Sequence, residues 1–357
     1  MLGRTHGFVM AHLEWALAAL FAIALPSATF PQSTDSPVAC HEAARQVERG
    51  KLRIAQENFS AAIEDFRSAL ELCPERRSTV LELAQAYSGA RRFGEAEQAA
   101  KQFLTGNPRS EEGQFLLAYS YFMQERFREA GKTLRKLLDQ NNRNPDAHKL
   151  MGLTLFFYRE YVLAQAELLT ALRDRPNDEE ILYYLGRVYS TQNNFGPAVK
   201  ALKRLLALNP KSYKALDNLG LCYEALGQTE NARVAFESAQ AIARDVDPTY
   251  DWPYANLAEM LVKENRAREA LPHAQEAVRV NPRSARNHFL LGKVLARGGE
   301  MEDSLEHLLK AVELDPSYAE PHYLLGRLYQ KSGQREEAAR EFALFEKISK
   351  QTPHKRH

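Results

Sequence analysis

The chain has almost no net charge, which limits the partners that its composition favours. Its 357 residues include 47 Lys and Arg against 46 Asp and Glu, a formal charge of +1 at pH 7. Proteins that bind nucleic acid usually carry a basic face, often with aromatic side chains interleaved along it. The sequence provides no such face, so we expect no nucleic-acid partner.

The sequence also lacks the short motifs that carry catalysis or hold cofactors. G-x-S-x-G, H-E-x-x-H, G-x-G-x-x-G and the phosphate-binding loop are absent, as are C-x-x-C and C-x-x-C-H. His273 and Glu276 lie three residues apart, but no further metal ligand accompanies them. His148, His288 and His322 share one register of the repeat described below and are expected to be packing residues spread along the molecule. We therefore expect a protein that is not an enzyme, with no catalytic residue, metal or cofactor.

What the sequence does contain is a repeat of 34 residues. One series of small residues comprises Ala62, Ala96, Ala130, Ala164, Ala198, Ala232, Ala270, Ser304 and Ala338. A second comprises Gly50, Ala84, Ala118, Gly152, Gly186, Gly220, Ala258, Gly292 and Gly326. Every interval is 34 except one step of 38 in each series, between the sixth and seventh members. Chance does not keep two such series in phase, so the period predicts a solenoid of nine units.

Each unit contains two stretches with apolar residues at helical spacing. In the unit that starts at Glu179 these residues are Leu182, Leu185 and Tyr189, followed by Ala198, Leu202 and Leu205. Pro210 ends the second stretch, because proline lacks the amide donor that a helix needs. Gly186 and Ala198 are expected where the two helices cross, since a larger side chain would push the helix axes apart.

This pattern resembles the tetratricopeptide repeat family. The fullest match to the family pattern is Leu216, Leu219, Gly220, Tyr223, Ala232, Phe236 and Ala239. The resemblance implies an all-α fold, a right-handed superhelical solenoid of nine helix pairs over residues 43–350. The units start at residues 43, 77, 111, 145, 179, 213, 251, 285 and 319. The four extra residues fall within 244–248, so we expect a longer second helix or a wider loop in the sixth unit.

The N-terminus is typical of an export signal. Arg4 precedes ten apolar residues at 16–25, and small residues follow at 26–29. Ten residues are too few to cross a bilayer, which takes about 20. We expect a signal peptide over residues 1–30 and a periplasmic or secreted protein. An uncleaved membrane anchor, a buried helix and lipidation at Cys40 are the alternatives. A linker over 31–42 and a polar tail over 351–357 would flank the repeats.

The predicted export affects which oxidation state we expect for the three cysteines. Cys40 precedes the first helix of the first unit and Cys73 ends its second helix, so antiparallel packing brings both thiols to one end of the pair. In an oxidising compartment this arrangement favours a disulfide, although the two thiols could also be unrelated. Cys222, beside Tyr223, is expected to be a small buried apolar residue.

The resemblance assigns the first helix of each unit to a concave groove that holds a partner. The aromatic residues expected in this groove are Phe115, Tyr119, Phe122, Phe156, Phe157 and Tyr183, together with the apolar Met123. The basic residues expected there are Arg187, Lys263, Arg286, Lys293, Arg297, Arg327 and Lys331. Such a surface suits an extended or helical peptide with apolar anchors and an acidic portion. Alternatively, the aromatic residues pack between helices and the charges form a solvated face.

The carboxylate clamp that the family uses in heat-shock chaperone adaptors is incomplete in this sequence. Asn256 and Arg286 occupy matching registers, but Asp217, Leu221 and Leu290 occupy the other three. The C-terminal tail of a chaperone is therefore not the expected ligand.

The sequence predicts a non-catalytic scaffold of the cell envelope that holds a protein or peptide during assembly, secretion or pilus biogenesis. An accessory subunit of a separate glycosyltransferase or polysaccharide synthase is the alternative, and a self-assembling structural repeat is a third possibility. The last helix carries the apolar residues Phe342, Leu344, Phe345 and Ile348, which span more than one helical stripe. We expect the surplus to contact a second copy or the partner.

Overall fold

The computed structural model describes residues 37–351, and every regular element in that range is an α-helix. The helices are α1 (Pro37–Ala55), α2 (Phe59–Leu72), α3 (Arg77–Gly89), α4 (Phe93–Gly106), α5 (Glu111–Met123), α6 (Phe127–Gln140), α7 (Pro145–Phe157), α8 (Tyr161–Asp174), α9 (Glu179–Thr191), α10 (Phe195–Leu208), α11 (Tyr213–Ala225), α12 (Thr229–Val246), α13 (Trp252–Lys263), α14 (Ala267–Val280), α15 (Ala285–Gly298), α16 (Met301–Leu314), α17 (Ala319–Lys331) and α18 (Arg335–Gln351). The all-α fold class is thus confirmed, with nine helix pairs in the described range. None of these helices combines the length and the apolar character needed to cross a membrane.

The chain divides into two compact units, one ending at Pro176 and the other beginning at Asn177. The described part of the first unit contains α1–α8, and that of the second contains α9–α18. Within each unit every helix packs against the next one along the chain. The first helices of neighbouring pairs also contact each other within a unit, whereas the second helices of neighbouring described pairs do not. We call the first helices of a unit, the odd-numbered ones, its first-helix row.

Local sequence signals define where helices begin. The side chains of Ser110, Asn144, Asp178 and Ser284 each accept a hydrogen bond from the backbone amide three residues later. Seven first helices begin at the residue where the 34-residue period places a unit start, from Arg77 in α3 to Ala319 in α17. The seventh unit differs by one residue, since α13 begins at Trp252.

The N-terminal boundary differs from the prediction. Helix α1 begins at Pro37, inside the segment 31–42 that was expected to be a linker. Proline is well suited to the first helical position, because its missing amide would have no partner there. The predicted signal peptide over 1–30 lies outside the described residues, as does the predicted tail apart from Gln351, which ends α18.

The turn within each pair places one residue in the left-handed region of backbone conformation. These residues are Glu57, Arg91, Glu125, Arg159, Asn193, Gly227, Asn265, Gly299 and Gly333. Their φ angles run from 51° at Arg91 to 91° at Gly299. Six of the nine are not glycine, although glycine adopts this conformation at the lowest cost.

The small residue in the middle of a first helix leaves room for a larger residue 16 positions later. The glycine pairs are Gly50 with Phe66, Gly152 with Leu168, Gly186 with Leu202, Gly220 with Phe236, Gly292 with Leu308 and Gly326 with Phe342. A Cβ atom on Gly220 would lie 2.5 Å from the ring of Phe236, far inside van der Waals contact. The first helix can therefore approach the second closely only where it carries no side chain, or a small one.

The four extra residues of the sixth unit lengthen α12. Helix α12 has 18 residues, whereas α10 and α14 on either side have 14 each. The loop over 247–251 that follows α12 carries Tyr250 and Asp251, and both side chains are buried. This loop thus places polar side chains in the interior of the second unit.

Candidate functional site

Two of the aromatic residues predicted to line the groove are interior residues of the first unit. The side chains of Phe122 and Phe156 are only 2% and 7% exposed. The ring of Phe122 meets those of Phe127 and Phe157 edge-on, with centroids 5.6 and 5.8 Å apart. Phe156 meets Tyr161 edge-on at 5.7 Å. The prediction that Phe122 and Phe156 contact a partner is therefore corrected, because both pack between helices.

The sequence itself indicates this packing. An aromatic residue begins each of the second helices α2, α4, α6, α8 and α10, namely Phe59, Phe93, Phe127, Tyr161 and Phe195. These residues recur every 34 positions, in step with the repeat. They supply the partners against which aromatic residues near the ends of the first helices pack.

Three predicted aromatic residues in the first unit keep part of their surface exposed. Phe115, Tyr119 and Phe157 are half-buried in the first-helix row. Tyr119 meets Phe93 edge-on at 6.2 Å, and Phe157 stacks on Phe127 with centroids 5.6 Å apart. Each ring is thus held by one face or edge, which is how rigid aromatic anchors are usually presented to a partner.

In the second unit a buried carboxylate lies in the first-helix row. Asp217 on α11 is 3% exposed. One of its oxygens accepts a hydrogen bond from the Tyr250 hydroxyl, and the other accepts one from Asn256 Nδ2, each at 2.9 Å. Burial raises the pKa of Asp217 to about 6, although both hydrogen bonds oppose that shift. Tyr250 belongs to the loop that follows α12, so this loop supplies one of the two donors.

Arg286 on α15 extends this network. Its guanidinium donates to Asn256 Oδ1 at 3.0 Å and to Glu259 Oε2 at 3.1 Å. It also lies 4.8 Å from the ring centroid of Trp252, a residue that is 38% exposed. Asp217, Asn256 and Arg286 therefore link three successive first helices, and Nη2 of Arg286 donates to two acceptors inside the protein.

The other predicted basic residues of the second unit differ in how far they are engaged. Arg297 donates to the backbone oxygen of Val262 at 2.7 Å. Lys293 is half-buried with its ammonium 5.9 Å from the ring of Phe289, and burial lowers its pKa. Arg327 is exposed on α17. Within residues 37–351, neither Lys293 nor Arg327 forms an ion pair.

Tyr183 and Arg187 lie together at the start of the second unit. The guanidinium of Arg187 is 5.7 Å from the ring centroids of both Tyr183 and Tyr184. The Tyr183 hydroxyl accepts a hydrogen bond from Asn218 Nδ2 at 3.5 Å, and burial raises the pKa of Tyr183. Both predicted residues thus belong to the packed part of the first-helix row.

The three histidines that share a register each contact a residue 19 positions later. His148 Nδ1 lies 2.6 Å from Glu167, and His322 Nδ1 lies 2.6 Å from Glu341. His288 faces His307 instead, with the two Nδ1 atoms 3.1 Å apart. Burial lowers the pKa of His288. The histidines therefore join the two helices of their own pair.

The sulfur atoms of Cys40 and Cys73 are bonded, with Cα atoms 5.0 Å apart. Cys40 lies on α1, and Cys73 is the residue that follows α2, so the bond joins the two helices of the first pair. Glu75 Oε1 lies 2.9 Å from the sulfur of Cys40 and 2.6 Å from that of Cys73. Within residues 37–351, this is the only group of three cysteine, histidine or carboxylate side chains spaced closely enough to hold a metal ion. The remaining cysteine, Cys222, is buried.

Known sequence families match much of the chain. Tetratricopeptide repeat profiles match residues 89–153, 180–212 and 212–283, and a TPR repeat profile matches residues 292–333. Together these segments cover more than half of the chain.

One curated relative and two solved structures illustrate the similarity. BBSome complex member BBS4 of Bos taurus is 26% identical over 227 residues, which cover 64% of this chain and 43% of the relative. The chain thus spans less than half the length of that relative. The APC/C hetero-tetramer Cut9-Hcn1 superposes with a TM-score of 0.57 at 15% identity, covering 76% of this chain and 52% of the other.

A monomeric mutant of IFIT1 with m7Gppp-AAAA superposes with a TM-score of 0.50 at 18% identity, covering 84% of this chain and 79% of the other. At these identities the two structures support the fold alone. The helix pairs, the small residues at their crossings and the four profile matches agree, and we conclude that the chain belongs to the tetratricopeptide repeat family.

Proposed function

We propose that this chain is a non-catalytic scaffold that binds a protein or peptide along the first-helix rows of its two units. In this proposal each row lines the concave side of its own array of helix pairs. Helix contacts support this assignment, because neighbouring first helices contact each other, whereas neighbouring second helices in the described range do not. The more closely spaced row of a curved array is its inner side, and extended inner surfaces of this kind serve as binding sites in repeat proteins.

The observation that carries the proposal is an incompletely paired set of side chains in the row of the second unit. Lys293 and Arg327 have no ion pair among residues 37–351, although Lys293 is half-buried. Phe289 lies beside Lys293, and Trp252 exposes one side while Arg286 stacks on the ring. Cations held next to aromatic anchors suit a peptide with acidic and apolar side chains.

The test is a selection from random peptides displayed on phage, using the full chain as the target. We expect the enriched peptides to combine Asp or Glu with Leu, Phe or Trp. A synthetic peptide of the enriched sequence should bind more weakly as salt is added, because salt screens charges at a partly exposed surface. The double variant Lys293→Glu/Arg327→Glu should lose that peptide.

A matched control reverses two cations elsewhere in the second unit. Lys200 on α10 and Arg268 on α14 are exposed on second helices, so Lys200→Glu/Arg268→Glu changes the net charge equally without altering the first-helix row. The proposal fails if the affinity for the peptide falls by the same factor in both double variants, or if it falls in neither. Far-ultraviolet circular dichroism of all three proteins checks that the helices remain folded.

We also propose that the protein is exported and acts in the cell envelope. The support comes from the sequence, where an apolar run at residues 16–25 follows Arg4. Fusing residues 1–42 to a periplasmic phosphatase reporter should give active enzyme outside the cytoplasm, and N-terminal sequencing of the exported fusion identifies any cleavage site. An inactive, cytoplasmic fusion would refute export. A synthase recovered by cross-linking to the exported scaffold would favour the accessory-subunit alternative.

A further inference from the structure

The first helix pair carries a cluster whose chemistry the scaffold function does not require. Cys40, Cys73 and Glu75 bring together two sulfur atoms and one carboxylate oxygen, with all three atoms within 4.8 Å of one another. Cys73 is buried, Cys40 is half-buried and Glu75 is exposed. The cluster is therefore anchored in the protein on one side and open to solvent on the other.

The contacts of Glu75 are not those expected beside a disulfide. Its oxygen approaches both sulfurs within 2.9 Å, yet a disulfide has no S–H group to donate a hydrogen bond. The oxygen and the two bonded sulfur atoms all carry lone pairs, so at these distances both sulfurs repel the oxygen unless a positive charge lies between them. A thiol proton supplies that charge in the reduced protein, and so does a metal cation.

We propose that Cys40, Cys73 and Glu75 bind a zinc ion when the two cysteines are reduced. Thiolate sulfur and carboxylate oxygen are both established zinc ligands, and zinc sites with three protein ligands keep a water molecule in the fourth tetrahedral position. Two thiolates and one carboxylate leave the complex with one excess negative charge. The guanidinium of Arg76 offsets it, because Arg76 Nη1 lies 3.5 Å from the backbone oxygen of Cys40.

Zinc and the disulfide exclude each other, so the site has two forms. A small dithiol reductant donates two electrons to the Cys40–Cys73 bond, becomes a cyclic disulfide and leaves two thiols on the protein. Zinc binding then releases both thiol protons to solvent as the thiolates coordinate the ion. In both forms α1 remains tied to the end of α2, by a covalent bond in one and by the metal in the other.

The test uses cobalt(II) as a spectroscopic probe for zinc in the full-length protein. After reduction with dithiothreitol and removal of the reductant without oxygen, added Co²⁺ should give a sulfur-to-cobalt charge-transfer band and the visible bands of tetrahedral cobalt. Zn²⁺ should displace the cobalt and abolish both. Oxidised wild-type protein is the control, since it has the same sequence but no free thiol at Cys40 or Cys73. It should give neither band.

Single variants then assign the ligands. Cys73→Ser should abolish the charge-transfer band of tetrahedral cobalt, and Glu75→Gln should weaken cobalt binding by at least about tenfold. Glu71→Gln, an exposed carboxylate near the end of α2, and Cys222→Ser should bind like wild type. The proposal is overturned if the reduced wild type shows no charge-transfer band, if Cys73→Ser retains it, or if Glu75→Gln binds cobalt as tightly as Glu71→Gln does.

Discussion

Asp217 shows how one carboxyl group can join several helices. It lies on α11 and accepts hydrogen bonds from the loop that follows α12 and from α13, while Asn256 in turn accepts a hydrogen bond from Arg286 of α15. An ionised carboxylate that is removed from water costs free energy unless its partners compensate. Here the two neutral donors compensate only part of that cost. The stability of the protein therefore depends on pH through the ionisation of Asp217.

We expect Asp217 to make the protein less stable as the pH rises through about 6. Burial raises the folded-state pKa to about 6, whereas an unfolded Asp titrates near about 3.9. The contribution of Asp217 is therefore fully present below about pH 4 and is lost as the pH passes the folded pKa. Between pH 4 and 7, the free energy of unfolding of wild type should fall by about 2–3 kcal/mol relative to that of Asp217→Asn.

Urea denaturation at several pH values, followed by circular dichroism, measures this difference. Asp245→Asn, an exposed position at the end of α12, serves as the control and should keep the slope of wild type. Parallel pH profiles for wild type and Asp217→Asn would contradict the prediction.

The glycine at a helix crossing provides a second prediction at the residue scale. Gly220→Ala should destabilise the second unit by about 1–3 kcal/mol, because the new methyl group overlaps the ring of Phe236. Gly196→Ala is the matched control, since no atom lies within 4 Å of a Cβ built there. That control should be neutral or stabilising by up to about 1 kcal/mol, as alanine favours helix. Equal thermal unfolding midpoints for the two variants would show that the crossing tolerates a side chain.

At the scale of the helix pair, six of the tight turns hold a residue other than glycine in the left-handed region. This conformation costs free energy that glycine in its place would not cost. Arg159 has a φ of 68° in the turn between α7 and α8 and is exposed. Arg159→Gly should stabilise the protein by about 1 kcal/mol, because a residue with a Cβ atom is disfavoured in the left-handed region. The reverse change, Gly227→Ala in the equivalent turn between α11 and α12, should destabilise it by a similar amount. The unfolding midpoints of both variants test these two expected changes in stability. A loss of stability in Arg159→Gly would contradict the argument.

The helix pairs could be predicted from the sequence because the repeat is strict. Each first helix from α3 to α11 begins at the position that the period assigns, and prolines and capping side chains mark the ends. The start of α1 could not be placed in this way. It extends six residues before the first periodic position, and the residues from Pro37 to His41 show no match to the period that would give their register.

The candidate site could be predicted only in part, for two physical reasons. The pattern of the first helices alone places Phe122 and Phe156 on a surface, whereas Phe127 and Tyr161 of the second helices cover them. The network around Asp217 depends on Tyr250, which has the register of Ser284 in the next unit and bonds to a residue 33 positions earlier. The period gives the register of such a residue but not which polar side chains meet between neighbouring units.

At the scale of the whole molecule, α18 is the last helix that the structure describes, and it carries apolar side chains on more than one stripe. In α18, Phe342 and Phe345 pack against Tyr323 of α17, with centroids 6.0 and 5.3 Å apart, while Leu344 is 39% exposed. The surplus apolar side chain therefore points to solvent, as expected if this helix contacts another chain.

We expect Leu344→Glu to lower the average mass measured by light scattering if the last helix mediates self-association. The effect should grow with protein concentration, because association follows mass action. Val234→Glu is a matched control, since Val234 is 50% exposed on α12. An unchanged monomeric mass for the wild type and both variants would identify α18 as a self-sufficient end of the array.

The pairing of each crossing glycine with a residue 16 positions later has a consequence for how such a chain can diverge. Both members of a pair lie within one 34-residue segment, so duplication or deletion of a whole segment carries the compensating partner along. A ring as large as that of Phe236 can arise only where glycine already stands at the crossing, as at Gly220. The substitution to glycine in the first helix must therefore precede the substitution to the large residue in the second helix. Among descendants of this gene we expect correlated changes between positions separated by 16 and independent changes between positions separated by 34. The number of segments can therefore change more readily than the content of any single pair.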